Sequence, residues 1–94
     1  MDYDLILIAE FESASGLTRA EIVELVEHGV FAPAGKAIDE WAFHENALAV
    51  ARVAARLRAD FDLPPASLAL VLAYRERMLE LEQRVRELEC LLPR

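Results

Sequence analysis

The chain has 94 residues, 55% of them hydrophobic and 29% charged, with a formal net charge of −7. That length supports one modest core and not two, and the apolar share excludes a disordered chain. Residues 1–45 carry ten acids against Arg19 and Lys36, net −8, while residues 46–94 carry seven acids against eight arginines, net +1. An acidic first half points to a basic partner in preference to an anionic one. The single cysteine, Cys90, leaves no intrachain disulfide, thiolate cluster or redox pair, which suits the cytoplasm. The opening "MDYD" is acidic where a signal peptide is basic, and "LILIA" is too short for its apolar region. The longest other apolar run, "ASLALVLAY" at 66–74, is far short of a membrane span.

Tyr3, Leu5 and Leu7 alternating against Asp4, Ile6 and Ile8 predict a short strand buried on at least one side. A helix of about one and a half turns follows from Ala9 to Ser15, with Phe11 and Ala14 inward and Gly16 supplying the turn. Thr18 and Glu21 have the spacing of a capping box, opening a second helix that runs to about His28. Ile22, Val23, Leu25 and Val26 share one arc of it, and Glu21, Glu24, Glu27 and His28 the other. Helix, glycine turn, helix is the helix-turn-helix pattern. Pro33 and Gly35 then mark a turn, and Ile38, Trp41 and Phe43 anchor a second strand. That strand makes a small wing, either as a hairpin or by pairing with the first strand.

From Glu45 to Asp60 a middle helix is expected, with Leu48, Val50, Val53 and Leu57 inward. Ala47, Ala51, Ala54 and Ala55 permit close helix contact, and Arg52, Arg56 and Arg58 point out. Pro64 and Pro65 start the last helix, which nothing stops before about Leu92. At 1.5 Å per residue it is roughly 42 Å long, more than the width of a domain of this size. Val71, Tyr74, Met78, Leu81, Val85, Leu88 and Leu92 alternate by three and four, a heptad seam. Glu80 with Arg84 and Glu82 with Arg86 are spaced for i,i+4 pairs worth a few tenths of a kcal/mol each. An apolar stripe on a projecting helix is an association surface. Residues 63–94 are therefore expected to form a dimerisation helix on a body made by residues 1–62. The competing expectation is that this helix folds back onto its own body.

Glu21, Glu24 and Glu27, with Glu10 and Glu12 nearby, are either a solvated surface or a docking face for a basic helix. Trp41 either closes the core beneath the wing or is a partly exposed anchor for a partner. His28 and His44 are far apart, with no cysteine or carboxylate at ligand spacing, so no metal is expected. No Ser-His-Asp set, Gly-rich phosphate loop or carboxylate pair in apolar surroundings is present, so neither catalysis nor a cofactor is expected. Cys90 falls on the outer side of the heptad.

"IAEFESASGLTRAEIVELVEHGVFAP" followed by "EWAFHENALAVARVAARLRADFDL" resembles the MerR-like winged helix-turn-helix group. There a motif-bearing helix, a wing, a middle helix and a dimerising terminal helix come in this order. DNA-binding members carry an Arg-Tyr-Tyr or Arg-Tyr-Trp run in the second helix, and the matching positions here are Val23, Glu24 and Leu25. A closer resemblance is to the chaperone-modulator CbpM family. It is carried by "EIVELVEHGVFAP", "WAFHENA", "ARVAARLRADFDL" and the helix from "ASLALVL" to "RELECLL", over about residues 5–92. The wing segment "AGKAID" matches no part of it.

The resemblance implies a mainly α, MerR-like winged helix-turn-helix fold with a short two-stranded β element and a long C-terminal dimerisation helix. It implies a non-enzymatic homodimer that binds the J-domain of a DnaJ-type, curved-DNA-binding co-chaperone and inhibits it. J-domains present a positive helix to their DnaK-type partner, so Glu21, Glu24 and Glu27 would steer that helix and Trp41 would hold it. The alternative is a dimeric MerR-like DNA-binding transcriptional regulator. Duplex affinity comes mainly from Lys and Arg on phosphates. A reading helix with Arg19 alone, and a wing whose Lys36 is opposed by Asp39 and Glu40, repel phosphate, so direct nucleic-acid binding is not expected.

Overall fold

The structure, a computed structural model, describes residues 4–93; Tyr3, at the start of the expected strand, lies outside them. The chain runs β1 (Leu5–Leu7), α1 (Ile8–Ser15), α2 (Arg19–Glu27), a 3-10 turn (Ile38–Glu40), β2 (Ala42–His44), α3 (Glu45–Phe61) and α4 (Pro65–Leu91). This is the mainly α, winged helix-turn-helix arrangement that the sequence pattern predicts.

Of the two pairings open to the wing strand, the one with the first strand is realised. β1 and β2 are antiparallel, with Leu5 opposite His44, Ile6 opposite Phe43 and Leu7 opposite Ala42. Strands this short are marginal alone, but the ladder continues into the helices that follow them. Ile8 N–H donates to the Trp41 carbonyl at 2.9 Å, and Glu45 N–H donates to the Asp4 carbonyl at 2.8 Å. The sheet thereby fixes where α1 and α3 begin.

Ile38 departs from the expected strand: it opens the 3-10 turn and is exposed. Trp41 N–H donates to the Ile38 carbonyl at 3.1 Å, which curls the backbone just before β2 starts. Ala34 and Ala42 exchange hydrogen bonds at 2.9 and 3.0 Å, so the wing loop folds back along β2. Gly35 makes that return possible, with φ of 109° and an ideal Cβ position only 2.7 Å from the Glu40 carbonyl oxygen. Gly35→Ala should therefore lower stability by about 1–3 kcal/mol, since both the backbone angle and a rigid carbonyl oppose the methyl group. Gly29→Ala, at φ of 81° but in open space, meets only the backbone penalty. Thermal melts of the two variants should rank in that order.

The core is built on phenylalanines. Phe11 of α1 stacks on Phe43 of β2, with centroids 4.2 Å apart and planes at 12°. Phe31 closes edge-on against both, at 5.5 Å and 5.9 Å. Around them Ile8, Leu17, Ile22, Leu25, Leu68 and Leu72 are buried, with Ala51 and Ala54 of α3. Those two alanines let α3 approach closely, as expected, while Leu48, Val50, Val53 and Leu57 line the half-buried margin. Ala14 does not face inward; Ser15 does. From Phe11 the buried stripe runs three residues back to Ile8 and four on to Ser15, one helical arc that leaves Ala14 outside. Ser15 is satisfied there: its hydroxyl donates to the Glu12 carbonyl at 3.3 Å and accepts from Leu17 N–H at 3.1 Å.

α3 ends on Asp62 in the left-handed conformation, at φ of 55°. Pro65 then occupies the first turn of α4, where a missing N–H costs nothing. α4 rests on the body through Leu68 and Leu72, and every residue from Ala73 to Pro93 is exposed. The helix does not fold back. The radius of gyration is 15.7 Å, against about 12 Å for a compact chain of this length, and the free part of α4 is the cause.

Candidate interaction surfaces

α2 is capped at both ends. The Thr18 hydroxyl accepts from Glu21 N–H at 3.2 Å, and Thr18 N–H donates to Glu21 Oε1 at 2.9 Å, the reciprocal capping box. At the other end Val30 N–H donates to the Leu25 carbonyl at 2.9 Å and Gly29 N–H to the Val26 carbonyl at 3.0 Å, with Gly29 left-handed. Ile22 and Leu25 seat the helix in the core. Its opposite face is presented to solvent.

The acids on that face are not equivalent. Glu21 is held by its capping bond and by an ion pair with Arg58 of α3, so its charge is engaged within the fold. Glu12 pairs with Arg19 at 3.3 Å, and the same guanidinium reaches Asp39 of the wing at 3.1 Å. Glu24 and Glu27 are exposed and have no ion pair among the described residues. Of the expected cluster, Glu10 of α1 is likewise exposed and without an ion pair among the described residues, so three acids are left free, the two on α2 lying about 8–12 Å along the axis from Arg19.

Two arginines of α3 expected to point out turn back onto the body. Arg52 donates to the Ala14 carbonyl at 3.4 Å and Arg58 to the Gly16 carbonyl at 3.2 Å. Carbonyls at a helix C-terminus lack intrahelical partners and carry partial negative charge, which cations satisfy. Arg56 is exposed, as expected.

Trp41 is half-buried, edge-on to Phe43 at 6.2 Å, and packs at the margin of the core. It therefore helps close the core while keeping an open edge. Asp39 ties the wing to the first turn of α2, whereas Glu24 and Glu27 lie in the second half of that helix. Near the far end of α2 the structure has a feature that sequence reasoning misses. A groove of about 420 Å³ opens there, lined by Val30, Ala47, Val50, Leu72, Ala73 and Leu79, with His28 and Glu76 among its polar residues. Its apolar residues come from three separate segments, so no periodicity in any one of them announces it.

The seam on α4 is unpartnered in the single chain. Val71, Tyr74, Met78, Leu81, Val85, Leu88 and Leu92 are between 38% and 68% exposed. Leu92 stands one residue past the last helical position, as the cap. The expected Glu80–Arg84 and Glu82–Arg86 contacts do not form. Arg77 pairs with Glu80 at 3.3 Å, and Gln83 bonds both Glu87 and Arg86 instead. Exposed pairs worth a few tenths of a kcal/mol do not hold long side chains in one geometry.

Among the described residues no three His, Cys, Asp or Glu groups gather where a metal ion would sit, and no helix is long and apolar enough to cross a membrane. The capped, core-seated α2 after a glycine turn, the wing that follows it and the long terminal helix match a model of the MerR HTH family regulatory proteins over residues 6–90. The chain is 34% identical over 82 residues to the chaperone modulatory protein CbpM of Coxiella burnetii (strain Dugway 5J108-111), an alignment covering 87% of this chain and 77% of that one. It belongs to the CbpM family of MerR-like regulators. CbpM of Pseudomonas putida (strain W619) is 39% identical over 56 residues, 60% of this chain and 55% of the relative. CbpM of Pseudomonas entomophila (strain L48) is 32% identical over 60 residues, 64% and 59% of the two chains. Among CbpM relatives the names describe chaperone modulation, and a chaperone modulator is the role that membership suggests here.

Proposed function

We propose that this protein is a cytoplasmic, non-enzymatic homodimer that binds the J-domain of a DnaJ-type co-chaperone and blocks its stimulation of a DnaK-type chaperone. The observation that carries this reading is that the reading-helix position of a helix-turn-helix holds Glu24 and Glu27 unpaired. Oriented unpaired charge steers a partner of opposite sign, and a positive helix is what a J-domain offers by family resemblance. Glu21 contributes to the same field but is tied to Arg58, so Glu24 and Glu27 do most of the steering. The edge of Trp41 and the groove beside His28 supply apolar surface for the bound helix. The body of residues 1–62 docks the partner, and residues 63–94 join two copies.

The DNA-binding alternative is weakened by the same geometry. Arg19 is engaged by Glu12 and Asp39, so α2 offers no free cation to phosphate among the described residues.

Glu24→Lys with Glu27→Lys should weaken binding of a purified DnaJ-type J-domain by about tenfold or more at low ionic strength, with the difference shrinking as salt rises. Both residues are exposed, so the variant should melt close to the parent. An unchanged affinity at low salt would remove electrostatic steering, and retention of a palindromic duplex instead of the J-domain would favour the DNA reading.

A further inference from the structure

We propose that the groove at the end of α2 seats the apolar ridge of a basic amphipathic helix, whose cations meet Glu24, Glu27 and Glu76 around it. This rests on the partner reading above and adds where the bound helix is anchored. An amphipathic helix binds by laying its apolar face into a hydrophobic groove, with anchors spaced three and four residues apart. The groove measures about 420 Å³, within the roughly 300–1,000 Å³ of sites that enclose a ligand. Val30, Val50 and Leu72 give it apolar walls, and the short side chains of Ala47 and Ala73 leave the space between α3 and α4 unfilled.

Free acids converge on this groove. Glu24 stands four residues before His28 and three before Glu27, so the three share one side of α2 and its end, and that side leads into the groove at His28. Glu76 lines the groove from α4. None of the three glutamates has an ion pair among the described residues. Arg75 is the one arginine or lysine in the lining, so three free acids stand around the groove against a single arginine. A net negative rim around an apolar floor suits an apolar ridge flanked by Lys or Arg and rejects one flanked by acids.

The groove is also open in the right direction. Its residues on α4, Ala69, Leu72, Ala73, Glu76 and Leu79, recur at spacings of three and four. On a helical wheel their arc lies roughly half a turn from the seam that begins at Val71. A second copy covering the seam therefore leaves the groove free. Trp41 does not line it. Trp41 belongs to the wing side, which Arg19 ties through Asp39 to the first turn of α2, whereas the groove opens at the last. The groove, and not Trp41, is the anchor.

Binding of a purified DnaJ-type J-domain to full-length variants, measured below the melting transition of each, tests the anchor. Ala73→Trp fills the groove from an exposed position and should weaken binding about tenfold or more. Leu79→Ala removes part of a wall that is 48% exposed and should weaken it about fivefold. Glu76→Lys should weaken it by a similar factor at low ionic strength and by less as salt rises. Trp41→Leu should change it less than about threefold. Each variant should sediment as the parent does, since none of these residues lies on the seam. If Ala73→Trp and Leu79→Ala bind like the parent while Glu24→Lys with Glu27→Lys binds weakly, the groove is overturned and the partner reading stands. A Trp41→Leu loss larger than that of Ala73→Trp would move the anchor to the wing and overturn the groove. Weakened binding that comes with an altered mass would assign Ala73 and Leu79 to self-association, with the same result. A parent chain that does not bind the J-domain would overturn both the anchor and the partner reading.

Discussion

Phe11→Ala is expected to destabilise this protein by about 3–5 kcal/mol, the range for removing a fully buried aromatic from a core. Phe11 is 0% exposed, stacked on Phe43 and met edge-on by Phe31. It is the ring that joins the first helix to the sheet and to the loop after α2. A domain of this size has about 5–15 kcal/mol in all, so the variant loses a large part of its margin. The loss exceeds the transfer energy of the missing atoms because three elements meet at this ring and cannot all close on the cavity. Phe61→Ala is the matched control, since Phe61 is 66% exposed. Urea unfolding followed by circular dichroism should show a large fall in midpoint for Phe11→Ala and almost none for Phe61→Ala. Equal shifts would mean that the aromatic cluster does not hold the fold.

Val85→Asp is expected to abolish pairing through α4. In a paired seam Val85 lies within an apolar layer, and a carboxylate there has no hydrogen-bonding partner. Two such charges buried in one seam raise the dimer dissociation constant by about a hundredfold or more, since about 2.8 kcal/mol already corresponds to that factor. A second readout follows from helix physics. In proteins most helical stability comes from packing of an amphipathic face, and every residue of α4 beyond Leu72 is exposed in the single chain. Loss of the partner should therefore lower helicity as well as mass. Sedimentation at micromolar protein and ellipticity at 222 nm measure the two effects, and Glu87→Ala, outside the seam, should change neither. A parent that is monomeric and still fully helical would sink the seam as a dimer interface.

Features set by neighbours along the chain are legible in the sequence alone. The Thr18–Glu21 capping box, the end of α2 near His28, the Pro65 start and the run of α4 each depend on residues within a turn or two of one another. The inward arcs of α2 and α3 follow from the same short-range periodicity. Where that periodicity is sampled over too few residues it misleads: α1 has only eight, and the choice between Ala14 and Ser15 turns on which residue shares an arc with Phe11. Ile38 misleads for a related reason, because apolar residues at Ile38, Trp41 and Phe43 do not reveal that a 3-10 turn consumes the first of them before the strand starts at Ala42.

The candidate site is legible in outline and not in its charge state. Glu24 and Glu27 on the open face of the second helix are visible from the sequence, and with them the acidic character of that face. The division of the acids into engaged and free ones is not. Arg58 reaches Glu21 from 37 residues away, Arg52 reaches Ala14 from 38, and Arg19 reaches Asp39 from 20. No local pattern encodes such meetings.

The sequence by itself determined the elements, their order, the acidic character of the first half and the apolar seam of the last helix, because these rest on local propensity and on side-chain spacing along one element. Only the tertiary structure decided which glutamates remain free, that two arginines close the end of α1, and that a groove opens beside His28. Those properties belong to contacts between elements, and their energies arise only when chain segments tens of residues apart are brought within a few ångströms.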